Sequence, residues 1–306
     1  MRILNFGSLN IDYVYRVDRF VEPGETKAAK SLLVNCGGKG LNQSIAAAKA
    51  GSAVLHAGLL GADGKMLSDQ LVQCGVDVSL LTPSDSVSGH AIIEVDERAQ
   101  NRILLYGGTN RMLTKEQIGR TLDAFDSRGL VLVQNETNLV GYIIDEAKAR
   151  GLAVAFNAAP MGSEVRSYPL DKLDYLIVNE IEGREIAGCE NEDDILPTLE
   201  KRLQGCCILL TLGTRGAICS CGGKQLFVGA CDVRAVDTTA AGDTYTGYFL
   251  NGMLSGLPLE ETLQRAAAAS ALCVTKNGAS ASIPTREELD GALKHGNIML
   301  PEVKAL

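Results

Sequence analysis

The sequence predicts an α/β fold, a three-layer α/β/α sandwich with a mainly parallel central sheet and a small additional β-sheet. From residue 114 onward, strand-like and helix-like segments alternate, which is typical of a parallel sheet covered by helices on both faces. The 306 residues, 46% of them hydrophobic, suit one large domain. We therefore expect a single domain over 1–306, with a β-sheet lid formed by two insertions at about 12–35 and 88–108.

The strands are predicted from short apolar or alternating runs bounded by turn residues. They span 3–7, 13–17, 31–35, 53–60, 89–95, 102–106, 130–134, 153–157, 175–178, 207–211, 217–221 and 225–228. Polar residues, including Asn10 and Asp12, follow the first of these strands. Because ligands bind beyond the carboxyl ends of strands in open α/β sheets, this position is a candidate binding site.

The helices are predicted from runs of helix-forming residues with helix-ending signals. They span 41–50, 65–74, 114–126, 139–150, 180–187, 193–203, 241–254, 259–274 and 286–293. Gly51 and Gly75 directly follow the first two helices, where glycine commonly ends a helix. The sequence contains no internal repeat and no long linker.

Composition argues against several classes of protein. The net charge is −8 and no basic run occurs, so a nucleic-acid partner is not expected. No apolar stretch reaches the roughly 18 residues of a membrane span, and no secretory signal is recognisable. The nine cysteines are scattered, which argues against a disulfide framework, and three dispersed histidines do not suggest a zinc site. We expect a cytoplasmic location.

Two phosphate-binding motifs are absent. Gly38-Lys39 is followed by Gly40 and lacks the first glycine of a Walker A loop, and no Rossmann fingerprint follows the first strand. Two glycine-bearing loops that lead from a strand to a helix remain, at 37–40 and 240–243. Two such loops can hold two substrates against each other.

The stretch 236–245 combines a polar turn with a helix start. The backbone N–H groups of a helix start can bind an anion, and small residues let that anion approach closely. Asp243, in the first turn, would then be suited to act as a general base for an attacking hydroxyl. The alternative is an ordinary Asp-Thr helix cap with an acidic first turn.

Other polar residues lie at predicted strand ends. Glu136 follows one strand, and Asn179 and Glu182 follow another with the spacing of one helix face. The oxygens of Asn179 and Glu182 could order a hydrated Mg²⁺ near phosphates, although an asparagine here is more often a helix N-cap. The segment 211–216 is a turn signal between two strands.

In combination these motifs resemble the ribokinase-like (PfkB) carbohydrate kinases over nearly the whole chain. The motifs occur in the family's order: Gly37-Gly38-Lys39-Gly40-Leu41-Asn42-Gln43, Asn179-Glu180-Ile181-Glu182, Thr211-Leu212-Gly213 with Gly216, and Asp237-Thr238-Thr239-Ala240-Ala241-Gly242-Asp243-Thr244. Segments 7–12, 107–110 and 274–279 are most similar to those of the ribokinases within the family.

The resemblance implies a role for each matching residue. Asp243 would activate the primary hydroxyl of a sugar, and the N–H groups of Ala240, Ala241 and Gly242 would form the anion hole. Sugar-binding positions would be Asn10, Asp12, Gly38, Lys39, Asn42, Glu136 and Asp243. Nucleotide and Mg²⁺ positions would be Asn179, Glu182, Thr211, Gly213 and Gly216. A monovalent cation, K⁺, would be bound by Asp237, Thr239, Cys273, Lys276, Gly278 and Ser282, several of them through backbone carbonyls.

The sequence departs from the family's pattern at a few positions. Ala240 stands where many relatives carry glycine, and alanine still allows close approach to the backbone. Ala266 stands where ribokinases often carry a polar residue or histidine near the adenine. The lid residues Tyr13, Tyr15 and Ile92 differ from those of some ribokinases.

The expected function is an ATP-dependent sugar kinase, with D-ribose as substrate and D-ribose 5-phosphate as product. The alternatives are a fructokinase, a nucleoside kinase, a sugar-phosphate kinase or a non-catalytic sugar-binding protein. A sugar phosphate would need a cationic cluster such as Lys27, Arg98 and Arg102, and a nucleoside would need an aromatic sandwich from Tyr13, Tyr15 and Tyr106. Exposed apolar lid strands predict a homodimer that pairs through the lid.

Overall fold

The strands and helices of the computed structural model follow the predicted alternation closely. The structure describes residues 1–98, 100–125 and 128–306. The strands are β1 Arg2–Phe6, β2 Asn10–Arg16, β3 Ser31–Gly37, β4 Ala53–Leu60, β5 Asp77–Pro83, β6 Gly89–Val95, β7 Asn101–Tyr106, β8 Leu130–Gln134, β9 Ala153–Asn157, β10 Tyr175–Asn179, β11 Cys207–Thr211, β12 Ala217–Cys221, β13 Lys224–Val228 and β14 Val303–Ala305. Strands β5 and β14 were missing from the prediction, because neither carries a clear apolar alternation.

The helices also match the prediction, with small shifts at their ends. They are α1 Lys39–Ala50, α2 Lys65–Gln73, α3 Lys115–Asp123, α4 Val140–Ala149, α5 Glu180–Ala187, α6 Ile195–Arg202, α7 Ala241–Ser255, α8 Leu259–Val274 and α9 Arg286–Lys294. Helix α6 starts later than predicted because a 3₁₀ turn, Glu192–Asp194, precedes it. The predicted end of the third helix at 126, and position 99 between β6 and β7, lie outside the described residues.

The large sheet has ten strands in the order β14-β13-β12-β11-β10-β9-β8-β1-β4-β5. Pairing is parallel from β11 through β5 and antiparallel from β11 to β14. Side chains alternate between two cores: Ile3 packs with α1, α7 and α8 on one face, and Leu4 packs with α3 to α6 on the other. The predicted mainly parallel three-layer α/β/α fold is confirmed.

A second, smaller sheet has the order β3-β2-β6-β7. Strands β2 and β6 are parallel, and the two outer pairs are antiparallel. The edge strand β7 is exposed along its whole length, and Leu104 is 69% exposed. Within the described ranges, no helix is long and apolar enough to cross a bilayer.

Candidate active site

Helix α7 begins without a side-chain cap. Its N-cap residue Ala240 has φ 63° and ψ 10°, a left-handed conformation that non-glycine residues rarely adopt. The N–H of Ala241 donates to Thr238 O at 3.3 Å, whereas the N–H groups of Gly242 and Asp243 donate to no described residue. The expected alternative of an Asp-Thr side-chain cap is therefore wrong, whereas its acidic first turn, Asp243, is present. A helix start with open N–H groups is suited to binding an anion.

Asp243 is held by two amides from a neighbouring helix. Its carboxylate is 8% exposed and accepts hydrogen bonds from Asn42 Nδ2 at 3.0 Å and Gln43 Nε2 at 2.9 Å. Helix α1 supplies both amides and packs directly on α7. A Cβ at Gly247 would lie 2.4 Å from the Ala46 side chain, so the small residue at this crossing permits the close approach.

Glu136 caps the start of helix α1. Its Oε2 accepts from the Lys39 backbone N–H at 2.9 Å and from the Ser8 hydroxyl. A carboxylate in this position stabilises the helix start. Ser8 Oγ in turn accepts from Gly40 N–H at 3.0 Å, and Gly40 is needed because a Cβ there would lie 2.1 Å from Ser8 N.

Asp12 is a half-buried carboxyl group that pairs with no described residue. It lies over the backbone of Gly37, where a Cβ would come within 2.0 Å of Asp12 Oδ2. Burial, together with the negative charge of Glu136, raises the pKa of Asp12 to about 7. Asn10, two residues earlier on the same strand face, accepts from Asn110 Nδ2 at 2.8 Å, which leaves the Asn10 amide nitrogen as a donor.

Asn42 and Lys39 both lie close to Asp243 at the start of α7. Asn42 donates to Asp243, and its Oδ1 is buried without a partner among the described residues. Burial tends to lower the pKa of Lys39, but the charges of Asp243, Glu136 and Glu182 outweigh that effect and raise it. The ammonium therefore stays charged, and it forms no ion pair with a described residue.

These groups divide the site into two sides. The acceptor side consists of Asp12, Asn42 and Glu136, which offer unpaired oxygens. The donor side consists of the open N–H groups of Gly242 and Asp243 together with the Lys39 ammonium. The Asp243 carboxylate lies between the two sides, because Asn42 of the acceptor side holds one of its oxygens.

A cavity of about 710 Å³ opens beside the donor side. Its lining includes Asn179, Thr211, Gly213, Gly216, Ala241 and Gly242. A smaller cavity of about 220 Å³ is lined by Lys39, Glu182 and Asp243, and shares Asn179, Thr211, Ala241 and Gly242 with the first. The two cavities therefore meet over the start of α7.

Asn179 and Glu182 form a capping box at the start of α5. Asn179 Oδ1 accepts from Glu182 N–H at 2.9 Å, and Glu182 Oε2 accepts from Asn179 N–H at 3.0 Å. The predicted N-cap is thus present. Burial raises the pKa of Glu182, although its hydrogen bonds to Asn179 and the charge of Lys39 oppose this. Both residues still line the smaller cavity, so a second role remains open to them.

The segment after β11 forms a 3₁₀ turn, Gly213–Arg215, at the mouth of the larger cavity. Gly216 ends it with φ 115°, and a Cβ there would lie 2.0 Å from Val228 O. Arg215 binds Glu192 at 2.6 Å and Glu180 at 3.0 Å, which ties the turn to the start of α5. The turn is therefore held in place without filling the cavity.

Five of the six predicted cation-site residues lie close together. Asp237 accepts from Thr239 N–H at 2.9 Å and from Gly278 N–H at 3.0 Å, and Cys273 Sγ lies 3.0 Å from Ser282 Oγ. Partial burial raises the pKa of Asp237, but the hydrogen bonds from Thr239 and Gly278 outweigh it and lower the pKa overall.

The sixth residue, Lys276, is different. Its ammonium binds Glu288 at 3.3 Å, so its side chain is directed to α9 and only its backbone could face the other five. Within the described ranges, no group of three or more His, Cys, Asp or Glu residues could hold a metal ion. Oxygen donors for a weakly bound cation would therefore come largely from backbone carbonyls.

Some site residues lay outside the prediction. Gln43 and Asn110 lie inside segments quoted from the sequence, and only their contacts reveal that they orient Asp243 and Asn10. Ala266 was noted because ribokinases often carry a polar residue or histidine at this place. Ala266 is fully buried, and Ala267, Ser270 and Ala271 of the same helix line the cavity instead.

The two rival binding modes find little support in the smaller sheet. Lys27 pairs with Asp18 at 2.7 Å and Arg102 stacks on the Phe20 ring at 4.2 Å, so neither joins a cationic cluster with Arg98. Tyr13 and Tyr106 both contact the His90 ring. Because neighbouring strand residues point to opposite faces, Tyr13 lies on the face opposite Asp12.

Comparison with known proteins gives a consistent result. The model of the pfkB family of carbohydrate kinases matches residues 2–286. Ribokinase of Haemophilus influenzae is 33% identical over 300 residues, covering 94% of this chain and 97% of that protein. Deoxyribokinase of Salmonella typhi is 30% identical over 304 residues, covering 95% and 98% respectively.

A solved structure supports the same assignment. Arabidopsis thaliana ribokinase, complexed with ribose and ATP, superimposes with a TM-score of 0.84 at 29% identity and covers 96% of this chain and 98% of that one. The family match spans far more than half of the chain, and the relatives match over nearly their full lengths. The chain therefore belongs to the pfkB family of carbohydrate kinases and is a phosphotransferase with an alcohol group as acceptor.

Proposed function

We propose that this chain transfers the γ-phosphate of ATP to the primary hydroxyl of D-ribose and forms D-ribose 5-phosphate. The ribokinases among its relatives, one of them solved with ribose and ATP, support this substrate pair. The observation that carries the proposal is the position of Asp243. Its carboxylate lies between the acceptor side, which suits a polyol, and the donor side, which suits a phosphate.

The acceptor side is built to bind hydroxyl groups. Asn42 Oδ1 is a buried acceptor that no described residue pairs with, and a bound sugar hydroxyl would satisfy it. Asp12 and Glu136 add carboxylate oxygens, while Asn10 adds an amide donor. A sugar that lacks one of these hydroxyls would leave a buried polar group unpaired, which is how such a site selects its substrate.

In the reaction, Asp243 takes the proton of the primary hydroxyl as its oxygen attacks the γ-phosphorus. The bond from that phosphorus to the β-phosphate oxygen breaks, and ADP leaves with the bond's electrons. The N–H groups of Ala240 and Gly242, the open N–H of Asp243 and the Lys39 ammonium meet the negative charge of the phosphoryl group. The third donor expected for the anion hole, the Ala241 N–H, is engaged with Thr238 O at 3.3 Å. Phosphoryl transfer depends mainly on such positioning and electrostatics.

The residues present fit two cations. The Glu182 carboxylate and the Asn179 amide oxygen would suit a hydrated Mg²⁺, which when bound neutralises phosphate charge. The group around Asp237 and Thr239 O would suit K⁺ through oxygen ligands, with Gly278, Ser282 and the backbone of Lys276 beside it. Cys273 contributes a buried thiol, a weak ligand for a hard cation.

The smaller sheet is proposed to act as the lid over the acceptor side and as the contact between two copies of the chain. Within the described residues its outer strands, β3 and β7, are each paired on one side only, and Ile103 and Leu104 are 60% and 69% exposed. Apolar edge strands of this kind favour pairing with a second chain. A dimeric mass by light scattering is the expected result, and a monomer at micromolar concentration would contradict it.

The proposed location is the cytoplasm. All nine cysteines are free, which suits this reducing compartment.

The deciding experiment is a substrate panel scored by sugar-dependent ADP release, with and without K⁺. D-Ribose should give the highest kcat/KM, and 2-deoxy-D-ribose is the closest competitor because deoxyribokinases are among the relatives. Fructose, nucleosides and ribose 5-phosphate should be poor substrates. If 2-deoxy-D-ribose, fructose, a nucleoside or ribose 5-phosphate had a higher kcat/KM than D-ribose, that compound would replace ribose as the proposed substrate.

Asp243→Asn should lower turnover with the best substrate roughly 10²–10⁴-fold, because the amide cannot accept the hydroxyl proton. The substitution keeps the shape of the side chain, so sugar binding measured without ATP should persist. Near-normal turnover of the Asp243→Asn variant would contradict the assignment of Asp243 as the general base.

A further inference from the structure

We infer that Gln43 is a positioning residue for Asp243 and that a buried chain of polar side chains fixes the orientation of its amide. This inference rests on the proposed function of Asp243. Gln43 Nε2 donates to Asp243 Oδ1 at 2.9 Å, and Gln43 Oε1 accepts from Gln134 Nε2 at 2.8 Å. Gln134 Nε2 also donates to Asn5 Oδ1 at 3.0 Å. The chain thus links β1 and β8 of the central sheet to α1 and α7.

The direction of every hydrogen bond in this chain is set by a backbone carbonyl. Asn5 Nδ2 lies 2.8 Å from Gly40 O, and a carbonyl can only accept. Asn5 Oδ1 must then be the acceptor, so Gln134 presents its nitrogen. The Gln134 nitrogen in turn requires Gln43 to present its oxygen there, which leaves the Gln43 nitrogen for Asp243.

A second carbonyl sets the same direction from the far end. Asn5 Nδ2 also donates to Ser44 Oγ at 2.8 Å, and Ser44 Oγ lies 2.8 Å from His56 Nδ1. His56 Nε2 lies 3.2 Å from Gly7 O and must donate to it. Burial lowers the pKa of His56 to about 4, so the ring is neutral and its Nδ1 accepts from Ser44.

Burial makes this orientation persistent. Asn5, Gln43, Ser44 and His56 are 0% exposed and Gln134 is 1% exposed, so water does not compete for these bonds. One atom, Gln134 Oε1, is left without a partner among the described residues. Turning the Gln134 amide would not relieve it, because its oxygen would then face the two acceptor oxygens of Gln43 and Asn5.

The consequence for Asp243 is that both carboxylate oxygens meet amide hydrogens before any substrate binds. Asn42 holds Oδ2 and Gln43 holds Oδ1, which fixes the plane of the carboxylate. If the Gln43 amide turned over, its oxygen would face the carboxylate and repel it. Gln134 prevents this turn and acts on Asp243 only through Gln43.

The test is a double-mutant cycle with Gln43→Met and Gln134→Met, which keep side-chain length and remove the amides. Gln43→Met should lower kcat about 10- to 100-fold, the loss of one hydrogen bond to a charged group. The KM for the sugar should change less than about 2-fold, because Asn42 and Asp12 are untouched. Gln134→Met should lower kcat less, and the double variant should match Gln43→Met alone.

Gln264→Met is the matched control. Gln264 on α8 donates to Pro301 O at 2.8 Å, away from Asp243, so this variant should keep the original kcat. If Gln43→Met does not fold, Gln43→Glu keeps the volume and the acceptor for Gln134 while it removes the donor. Its kcat should fall at least as far.

Two outcomes overturn the inference. One is an unchanged kcat in folded Gln43→Met or Gln43→Glu. The other is a double variant whose loss is the product of the two single losses, since Gln134 would then act independently of Gln43. If Asp243→Asn loses turnover while Gln43→Met keeps it, only this inference fails. If the Asp243→Asn variant keeps its turnover, the proposed role of Asp243 is contradicted, and the inference about Gln43 falls with it.

Discussion

The two sides of the site treat charge in opposite ways. The acceptor side places Asp12 near Glu136, and burial together with the negative charge of Glu136 raises the pKa of Asp12 to about 7. The donor side places unpaired N–H groups and the Lys39 ammonium around the start of α7. Each side therefore lacks the partner that one substrate would bring.

The contrast shows how one site can distinguish a neutral polyol from an anion. Hydroxyl groups can donate to unpaired oxygens, whereas a phosphate can only accept at neutral pH and is repelled there. The reverse holds at an uncapped helix start. Substrate orientation then follows from polarity, and the experiments below change the polarity of one side at a time.

The largest effect should come from adding negative charge to the donor side. Aspartate can adopt the left-handed backbone conformation of residue 240, so the Ala240→Asp variant places a carboxylate where the phosphate would lie. We expect kcat/KM for ATP to fall at least about 100-fold, as in the loss of an anion-stabilising group. Ala240→Asn is the matched control, since it has the same shape without the charge. Equal losses in both variants would show that size, not polarity, matters.

A smaller effect should come from neutralising the acceptor side with Asp12→Asn. We expect sugar KM to rise about 10-fold, because hydroxyl donors lose a charged acceptor. Sugar affinity of the unaltered chain should increase as pH rises through about 7, where Asp12 ionises, and the variant should lack that step. Titration calorimetry at pH 6 and 8 measures both.

The effect of Asp12→Asn on stability should depend on pH in a defined direction. The folded-state pKa of Asp12, about 7, exceeds its ordinary value of 3.8, so the folded chain keeps a proton that the unfolded chain loses. The contribution of Asp12 to stability is complete below about pH 4 and is lost as pH rises to about 7. Asp12→Asn should therefore raise the melting temperature at pH 8 more than at pH 5. An equal shift at both values would contradict the assignment.

The smallest effect should come from Ala240→Gly, which leaves the polarity of the donor side unchanged. Glycine relieves a left-handed strain of about 1–2 kcal/mol but adds about 0.4–1 kcal/mol of entropy to the unfolded chain. We expect a net gain of roughly 0.5–1 kcal/mol in the free energy of unfolding, measured in urea. The kcat should change little, because glycine adds no charge and removes no N–H group. A net loss in the free energy of unfolding would argue against strain at Ala240.

Sequence patterns predicted most of the fold because they report local structure. The alternation of strands and helices predicted the central sheet, whereas β5 and β14 were missed because neither carries a clear apolar alternation. The site followed the same rule. Asp243 and Asn179 could be selected from local motifs, and the capping box of Asn179 was among the expected alternatives.

Contacts between elements could not be predicted in this way. Gln134 is 91 residues from Gln43, and nothing in the run of β8 distinguishes its last residue from an ordinary strand end. The φ of Ala240 is likewise a property of the assembled loop, since alanine has no intrinsic preference for that conformation. What the sequence left open is therefore the orientation of groups rather than their identity.

The hydrogen bond between Asn42 and Asp243 joins residues 201 positions apart. At a translation rate of about 5–20 residues per second, roughly 10–40 s separate the synthesis of these two residues. Once Glu136 has been made, the nascent chain carries all three residues of the acceptor side but still lacks the start of α7. Under the proposed function, a growing chain on the ribosome thus carries the groups expected to bind the sugar while it is still unable to consume ATP.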